Sequence, residues 1–499
     1  MTKPTAPEQS SLTGRIATGP SALLHQEILE PQFVYELQHF LPWYIMIEKV
    51  MTLEYERLGL ISGEARREIG QLLSEIDSET ITADPQANMS DIAFAIERYV
   101  ESRMTQEAPA WHMDRSRNDF QACAQIMFGR DQLSQVIDEL MLCSQALHKL
   151  AAETVDLPMP GYTHYQSAQI ISPGFYLAAV NEQVLQAISR LSALSADINA
   201  CPLGSGAMAG LELDWDQQRM SDLLGFQRPV RHALTGVANR EWSLRAAAEL
   251  STFSVNLSRA VTDLIAWGSS EYGFIDLPDQ MAGISSAMPQ KKNFPILERI
   301  RGRIAHISAY YVDFAFAQRS TAYSNLVETS KEAGANILTM FTTMRSALRL
   351  FTAVIENLTF KEAKMRAICE REYFGGFTLA NMLALHSAVP YRKAQVLAGR
   401  YISRALEKGL KPTGVEIELL RAAAAEMGLE VTLTEEQLRL AFDTDYNLQV
   451  KTSVGATSPQ AMRHLLGKQE EELAQFARAS AERKAEFERC AERVEALLK

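Results

Sequence analysis

Three polar segments of this chain hold residues whose types and spacing could do chemistry. "GISSAMPQKKNF", Gly283 to Phe294, sets two serines, two lysines and an asparagine on a stretch that opens with glycine and carries a proline in its middle. "DRSRNDF", Asp114 to Phe120, supplies guanidinium, hydroxyl and amide groups, and "GYTHYQSAQ", Gly161 to Gln169, adds hydroxyls and an imidazole. Such donors make charge-assisted hydrogen bonds to carboxylates. Each segment alone is ordinary, because "SRN" also suits a helix cap and a lone His164 is more often a satisfied structural histidine. Their combination is what points to a carboxylate site.

The elements that must position these segments read as long helices. From Ile337 the apolar residues Phe341, Met344, Leu348, Phe351, Ile355 and Leu358 follow alternating steps of four and three, which line one helical face. The same rhythm recurs at Leu133, Ile137, Leu140 and Leu147, and at Val184, Ile188 and Leu191. Proline and glycine gather between these runs, as in "DLPMPGYTH" and "CPLGSGAMAG". The polar segments therefore read as loops that punctuate a long helical bundle. Strand signals are few, and no glycine-rich phosphate loop follows a strand. The chain divides into an N-terminal helical domain over 1–113, a central long-helix bundle over 114–365 and a C-terminal helical domain over 366–499. Its last stretch, "EEELAQFARASAERKAEFERCAERVEALLK", reads as a charged helix with a solvated face.

Composition bounds the partners. With 499 residues and 47% hydrophobic content a sizeable core is available, and a net charge of -12 argues against general binding to nucleic acid or anionic membrane. The five cysteines, Cys123, Cys143, Cys201, Cys369 and Cys490, are scattered, odd in number and without metal-ligand spacing. They suit reduced, mostly buried thiols in a cytoplasmic protein, and neither a metal nor an organic cofactor is expected. The opening "MTKPTAPEQSS" is polar and has no apolar segment of a signal peptide. Phe374 to Tyr391 lacks formal charge but contains Gly375, Gly376, Asn381, His386 and Pro390, which suits a turn and a buried helix rather than a membrane span.

In order and separation the three segments resemble the signature regions of the aspartase/fumarase superfamily, and "MPQKKN" is most similar to argininosuccinate lyase within it. "GRIATG" near the start, "PLGSGAMAG" at Pro202, "SSEYGFIDLPD" at Ser269 and "TSVGATSPQAM" at Thr452 extend the likeness over nearly the whole chain. The resemblance implies an all-α fold of three helical domains. In a homotetramer the long helices of four chains would form a twenty-helix core, with each active site built from three subunits.

The same resemblance implies a carbon-nitrogen lyase that removes a β-proton from a succinyl skeleton and releases fumarate. Ser285 would be the base, while Lys291 and Asn293 would hold the substrate carboxylate and the developing negative charge. Ser116, Arg117 and Asn118 match the carboxylate-binding residues of the first signature, and Thr163 contributes from the second. His164 and Glu298 match a histidine-glutamate pair that orients ligand groups and assists proton transfer. For Ser286, Lys292 and Arg115, loop anchoring by hydrogen bonds is an equally good reading.

Departures from the argininosuccinate lyase pattern gather on the amine side. About Ser21 stands where the family carries an aspartate, and "YSNLVETSK" replaces "YNRDLQEDK", keeping Tyr323 and Lys331 but changing a glutamine to Glu328. "HALTGVANRE", His232 to Glu241, replaces "NSLDAVSDRD", and Ala93 stands at an expected histidine. Tyr323, Glu328 and Lys331 would contact the amine. A carboxylate at Glu328 would favour a cationic amine and disfavour a ligand carboxylate there.

The expectation is elimination from an N-substituted aspartate, as in an ethylenediaminedisuccinate-lyase-like variant. Argininosuccinate lyase itself is the alternative, and a catalytically inactive structural homologue is a weaker one. Fumarase would show "MPGKVN" and adenylosuccinate lyase "MPYKRN" in the loop, and the paired lysines of "MPQKKN" match neither.

Overall fold

Ser116 ends an extended segment, with φ -133° and ψ 149°, and its Oγ accepts the Asn118 N–H at 3.2 Å, capping the helix that begins at the next residue. The computed structural model describes residues 15–16 and 18–499, so "MTKPTAPEQSS" and part of "GRIATG" lie outside the described residues. Helices α1 (Glu30–His39) and α2 (Leu41–Arg57) are among those that precede the capped one. That helix, α3 (Arg117–Thr154), runs for 38 residues, about 57 Å at the rise of an α-helix. Leu133, Ile137, Leu140 and Leu147 are all buried along it, as their spacing requires.

"GYTHYQSAQ" is not an irregular loop. It folds into an antiparallel hairpin of β1 (Met159–Thr163) and β2 (Gln166–Ile171), joined by a two-residue turn in which His164 and Tyr165 take φ of +52° and +59°. Such turns are ordinarily signalled by asparagine or glycine, and a His-Tyr pair hides the hairpin from the sequence. "DRSRNDF" also departs from a simple loop, because Arg117 to Phe120 are already helical.

The chain then shuttles along the bundle. Helix α4 (Pro173–Asp197) runs back from the hairpin, and the loop beyond it reaches the start of α3, where the Gly204 and Gly206 N–H groups donate to Asp119 Oδ2 at 2.9 Å each. Helix α5 (Glu241–Trp267) begins at that same end, which we term the head. There Trp242 lies so close to Gly129 of α3 that a Cβ at the glycine would sit 2.5 Å from the indole ring. It ends at the hairpin end, the tail, where Trp267 meets the Tyr176 ring edge-on at 4.6 Å.

The Gly283–Phe294 segment therefore lies at the tail. Helix α6 (Pro295–Gln318) returns to the head, where Gln318 Nε2 donates to Ser243 Oγ at 3.0 Å. After the short α7 (Val327–Ser330), α8 (Ile337–Asn357) leads back to the tail and its full apolar seam is buried. Thr359–Phe360 then pairs with Ile275–Asp276 beside the tail loop.

A second, smaller core is built from Leu379, Leu383, Leu397, Tyr401, Leu420, Leu438 and Phe442 among others. The last helix, α9 (Pro459–Leu498), turns one charged face to solvent, as its composition suggests. Its other face joins the large core through Met462, Leu466, Leu473, Val494 and Leu498. All five cysteines are buried and unpaired. No helix among the described residues is long and apolar enough to cross a membrane.

Candidate active site

At the head, the first turn of α3 presents Ser116, Arg117 and Asn118. Arg117 is tied to Asp91 and stacks over the Phe94 ring at 4.7 Å, and Asn118 Nδ2 donates to the Ala207 carbonyl at 2.9 Å. Behind them Arg115 grips Glu48 with two hydrogen bonds of 2.8 and 2.7 Å. His112 bridges the same carboxylate, at 3.4 Å, and Glu97, at 3.0 Å. Burial alone would raise the Glu48 carboxyl, but the Arg115 guanidinium and His112 outweigh it and hold it at about 2. Arg115 is thus a structural anchor. Asp119 goes the other way: burial pushes its carboxyl up to about 6, although the N–H groups of Gly206 and Gly204 oppose the rise.

Tyr323, Glu328 and Lys331 are at the head too, since Gln125 of α3 donates to the Ser330 carbonyl at 2.6 Å and Lys331 pairs with Glu36 of α1. Tyr323 and Glu328 are exposed. Ser21 caps a short exposed helix, accepting the Leu24 N–H at 3.3 Å.

The remaining candidates are at the tail. Thr163 and His164 occupy the exposed tip of the hairpin, beside a Tyr165 that is 85% exposed. In the serine-lysine loop Gly283 and Asn293 form a two-bond bridge, Gly283 N to Asn293 O at 2.8 Å and Asn293 N to Gly283 O at 3.0 Å. The bridge closes the neck of the loop and leaves its tip exposed. Ser285 Oγ accepts the Met288 N–H at 3.1 Å. The Lys292 ammonium is spent on the Leu277 carbonyl at 2.6 Å and on Asp276 and Asp279, so Lys292 anchors the loop. Lys291 is exposed, and its ammonium has no partner among the described residues. Glu298 is exposed in the first turn of α6 and forms no ion pair with His164 within the chain.

The candidate residues therefore fall into two groups at opposite ends of the chain's bundle. Ser116, Arg117, Asn118, Tyr323, Glu328 and Lys331 mark the head; Thr163, His164, Ser285, Lys291, Asn293 and Glu298 mark the tail. The 27 residues of α5 alone put about 40 Å between the ends. No side-chain movement spans that distance. The Glu48–Arg115–His112–Glu97 cluster was not singled out from sequence, though Glu48 and Lys49 interrupting the apolar run "WYIMIEKVM" were a readable signal.

The family model described as "Lyase" matches residues 66–308. Argininosuccinate lyase of Aquifex aeolicus is 31% identical over 379 residues, covering 74% of this chain and 81% of that protein. Argininosuccinate lyase 1 of Shouchella clausii is 29% identical over 468 residues, covering 93% and 94%. Among solved structures, an EDDS lyase variant with bound fumarate superposes with a TM-score of 0.83 at 25% identity, covering 94% of this chain and 95% of its own. The class II fumarase of Schistosoma mansoni shares the fold, with a TM-score of 0.66 at 18% identity over 83% of this chain and 90% of its own.

Bundle and sequence together define an all-α member of the aspartase/fumarase superfamily. Within it the chain belongs to the argininosuccinate lyase family. It is a carbon-nitrogen lyase, which eliminates an amine and releases fumarate.

Proposed function

We propose that the substrate is an N-substituted aspartate and that the reacting site assembles from a head of one copy and tail elements of others in a homotetramer. The observation that supports this most directly is the separation of Ser116 and Ser285 to opposite ends of the bundle. Pairing head with tail across subunits places the Ser116, Arg117 and Asn118 donors against Thr163, His164, Ser285, Lys291 and Asn293.

In the reaction Ser285, as an alkoxide stabilised by Lys291 and backbone N–H groups of the loop, takes the β-proton next to a carboxylate, and the electron pair is delocalised into that carboxylate. Lys291 and the amide of Asn293 stabilise the resulting charge. The pair then returns to form the carbon-carbon double bond as the C–N bond breaks, and the amine nitrogen keeps the bonding electrons and gains a proton. His164, oriented by Glu298 of a neighbouring copy, assists that transfer. Tyr323, Glu328 and Lys331 line the amine side. A free Lys291 beside an anchored Lys292 fits a loop that closes over ligand on a fixed neck. The division at 113/114 and 365/366 and a cytoplasmic location belong to the same proposal.

Fumarate release from a panel of N-substituted aspartates, followed by ultraviolet absorbance, tests the reading. Turnover of at least one member that is abolished in Ser285→Ala supports it. Silence across the panel rejects it.

A further inference from the structure

The head contains a cavity of about 320 Å³ that none of the signature residues except Lys331 accounts for. Tyr35 and Glu36 of α1, Gln125 of α3, and Arg240, Trp242 and Ser243 at the start of α5 are among its walls. Gln125 lies seven residues beyond Asn118, about 10 Å along the helix, so the cavity sits just behind the head group of candidates. Thr329, Ser330 and Lys331 line it, whereas Glu328 does not.

Its polar groups are unevenly satisfied. Glu36 is fully engaged: Lys331 pairs with it, Gln32 Nε2 donates at 3.2 Å and the Tyr44 hydroxyl at 3.3 Å. Arg240, 6% exposed, spends Nε on Gln125 Oε1 at 2.8 Å and Nη1 on the Val237 and Asn239 carbonyls at 3.0 Å each. Its Nη2 has no partner among the described residues. Trp242 Nε1 and the Tyr35 hydroxyl are likewise buried without a partner among the described residues, and Trp242 is 7% exposed. Burial and the neighbouring Glu36 push the Tyr35 hydroxyl up to about 12, so it keeps its proton at neutral pH.

Three donors without acceptors, each on a residue that lines the cavity, are costly to leave unmade, and a carboxylate has about four lone-pair sites to offer them. Phe40, Tyr44 and Phe128 are also among the lining residues. The one buried carboxylate is already taken, and Glu27 and Glu332 stand on the exposed rim.

We propose that this cavity receives the carbon skeleton of the leaving amine, and that Tyr35, Arg240 and Trp242 select an apolar, ring-sized body that carries a carboxylate. The inference rests on the lyase reading above and runs against the cationic amine that Glu328 suggested. A second cation, whether of a diamine or a guanidinium, finds no free buried carboxylate there.

The test is addition to fumarate in the reverse direction by four amines: phenylalanine, its decarboxylated counterpart phenethylamine, arginine and ethylenediamine. We expect phenylalanine to exceed phenethylamine by roughly tenfold or more in kcat/KM, and to exceed the other two. Arg240→Gln and the gentler Tyr35→Phe should each lower the phenylalanine-to-phenethylamine ratio, chiefly through KM for phenylalanine. A ratio near one, as for a cavity holding only water, overturns the proposal. So does a ratio that neither variant changes, or faster addition by arginine or ethylenediamine, which would leave the lyase reading intact. Addition by none of the four also overturns the proposal, while the lyase reading stands or falls by the aspartate panel above.

Discussion

Ser116 and His164 stand at opposite ends of the same helix: Ser116 caps the N-terminus of α3, and His164 sits in the hairpin that follows its C-terminus, about 57 Å of helix apart. Two groups so separated can serve one substrate only if they belong to different copies of the chain. Mixing inactive Ser116→Ala and Ser285→Ala proteins, with unfolding and refolding to exchange subunits, should therefore restore activity. Random assembly gives about a quarter of the sites an intact head and an intact loop. Recovery no greater than the sum of the two variants alone would show that each site lies within one chain.

The neck of the serine-lysine loop is a second point of test. A Cβ at Gly283 would lie 2.9 Å from Pro295 Cγ, and Pro295 begins α6. Gly283→Ala must shift the neck or loosen its bridge to Asn293. We expect kcat to fall about tenfold with little change in melting temperature, because the strain falls on an exposed loop. Unchanged kcat would mean that the neck does not set the position of Ser285.

Much of this arrangement was legible in the residues. The seam from Ile337 to Leu358 is buried at every position its four-three spacing marked, and the proline-glycine clusters do mark the turns of the bundle. The β1–β2 hairpin was not legible, since its turn uses His164 and Tyr165 where glycine or asparagine would have announced a positive φ. Nor was the apolar face of α9, whose buried residues are diluted by charge in "ERKAEFERCAERVEALL". The motif residues could be singled out as candidates because their types are chemical. The Arg240–Trp242–Tyr35 cavity could not, because it joins positions far apart in sequence whose only shared property is an unmet hydrogen bond.

Glu48 supplies a pH-dependent test of the head scaffold. Its folded carboxyl is held at about 2, below the ordinary 4.5, so the unfolded chain takes up the proton first as pH falls. The stability it contributes is complete above about pH 4.5 and lost as pH falls toward 2. Glu48→Gln leaves the buried Arg115 without its counter-charge and should destabilise by roughly 3–5 kcal/mol at neutral pH. It should also flatten the acid limb of a melting-temperature profile. An acid limb as steep as that of the unaltered protein would remove Glu48 from this role.

Asp119 carries the opposite sign. Its carboxyl is raised from 3.8 to about 6, so the folded state holds the proton longer and stability falls as pH rises between those values. Asp119→Asn keeps an acceptor for the Gly204 and Gly206 N–H groups while removing the buried charge. It should raise the melting temperature above pH 6 and change it little below pH 4. A loss of stability at high pH would mean that the carboxylate's bonds outweigh its burial.

Ser285 as the base of a carbon-nitrogen elimination is the central claim, and one comparison tests it most directly. With an N-substituted aspartate that the unaltered enzyme cleaves, single-turnover fumarate formation and substrate binding are measured for Ser285→Ala and Ser286→Ala. We expect Ser285→Ala to lose on the order of a thousandfold or more in rate with near-normal affinity, because the hydroxyl acts in the transition state, and Ser286→Ala to keep most of the rate. A Ser285→Ala enzyme within about tenfold of the unaltered rate, or a Ser286→Ala enzyme that is the more damaged of the two, would contradict the account.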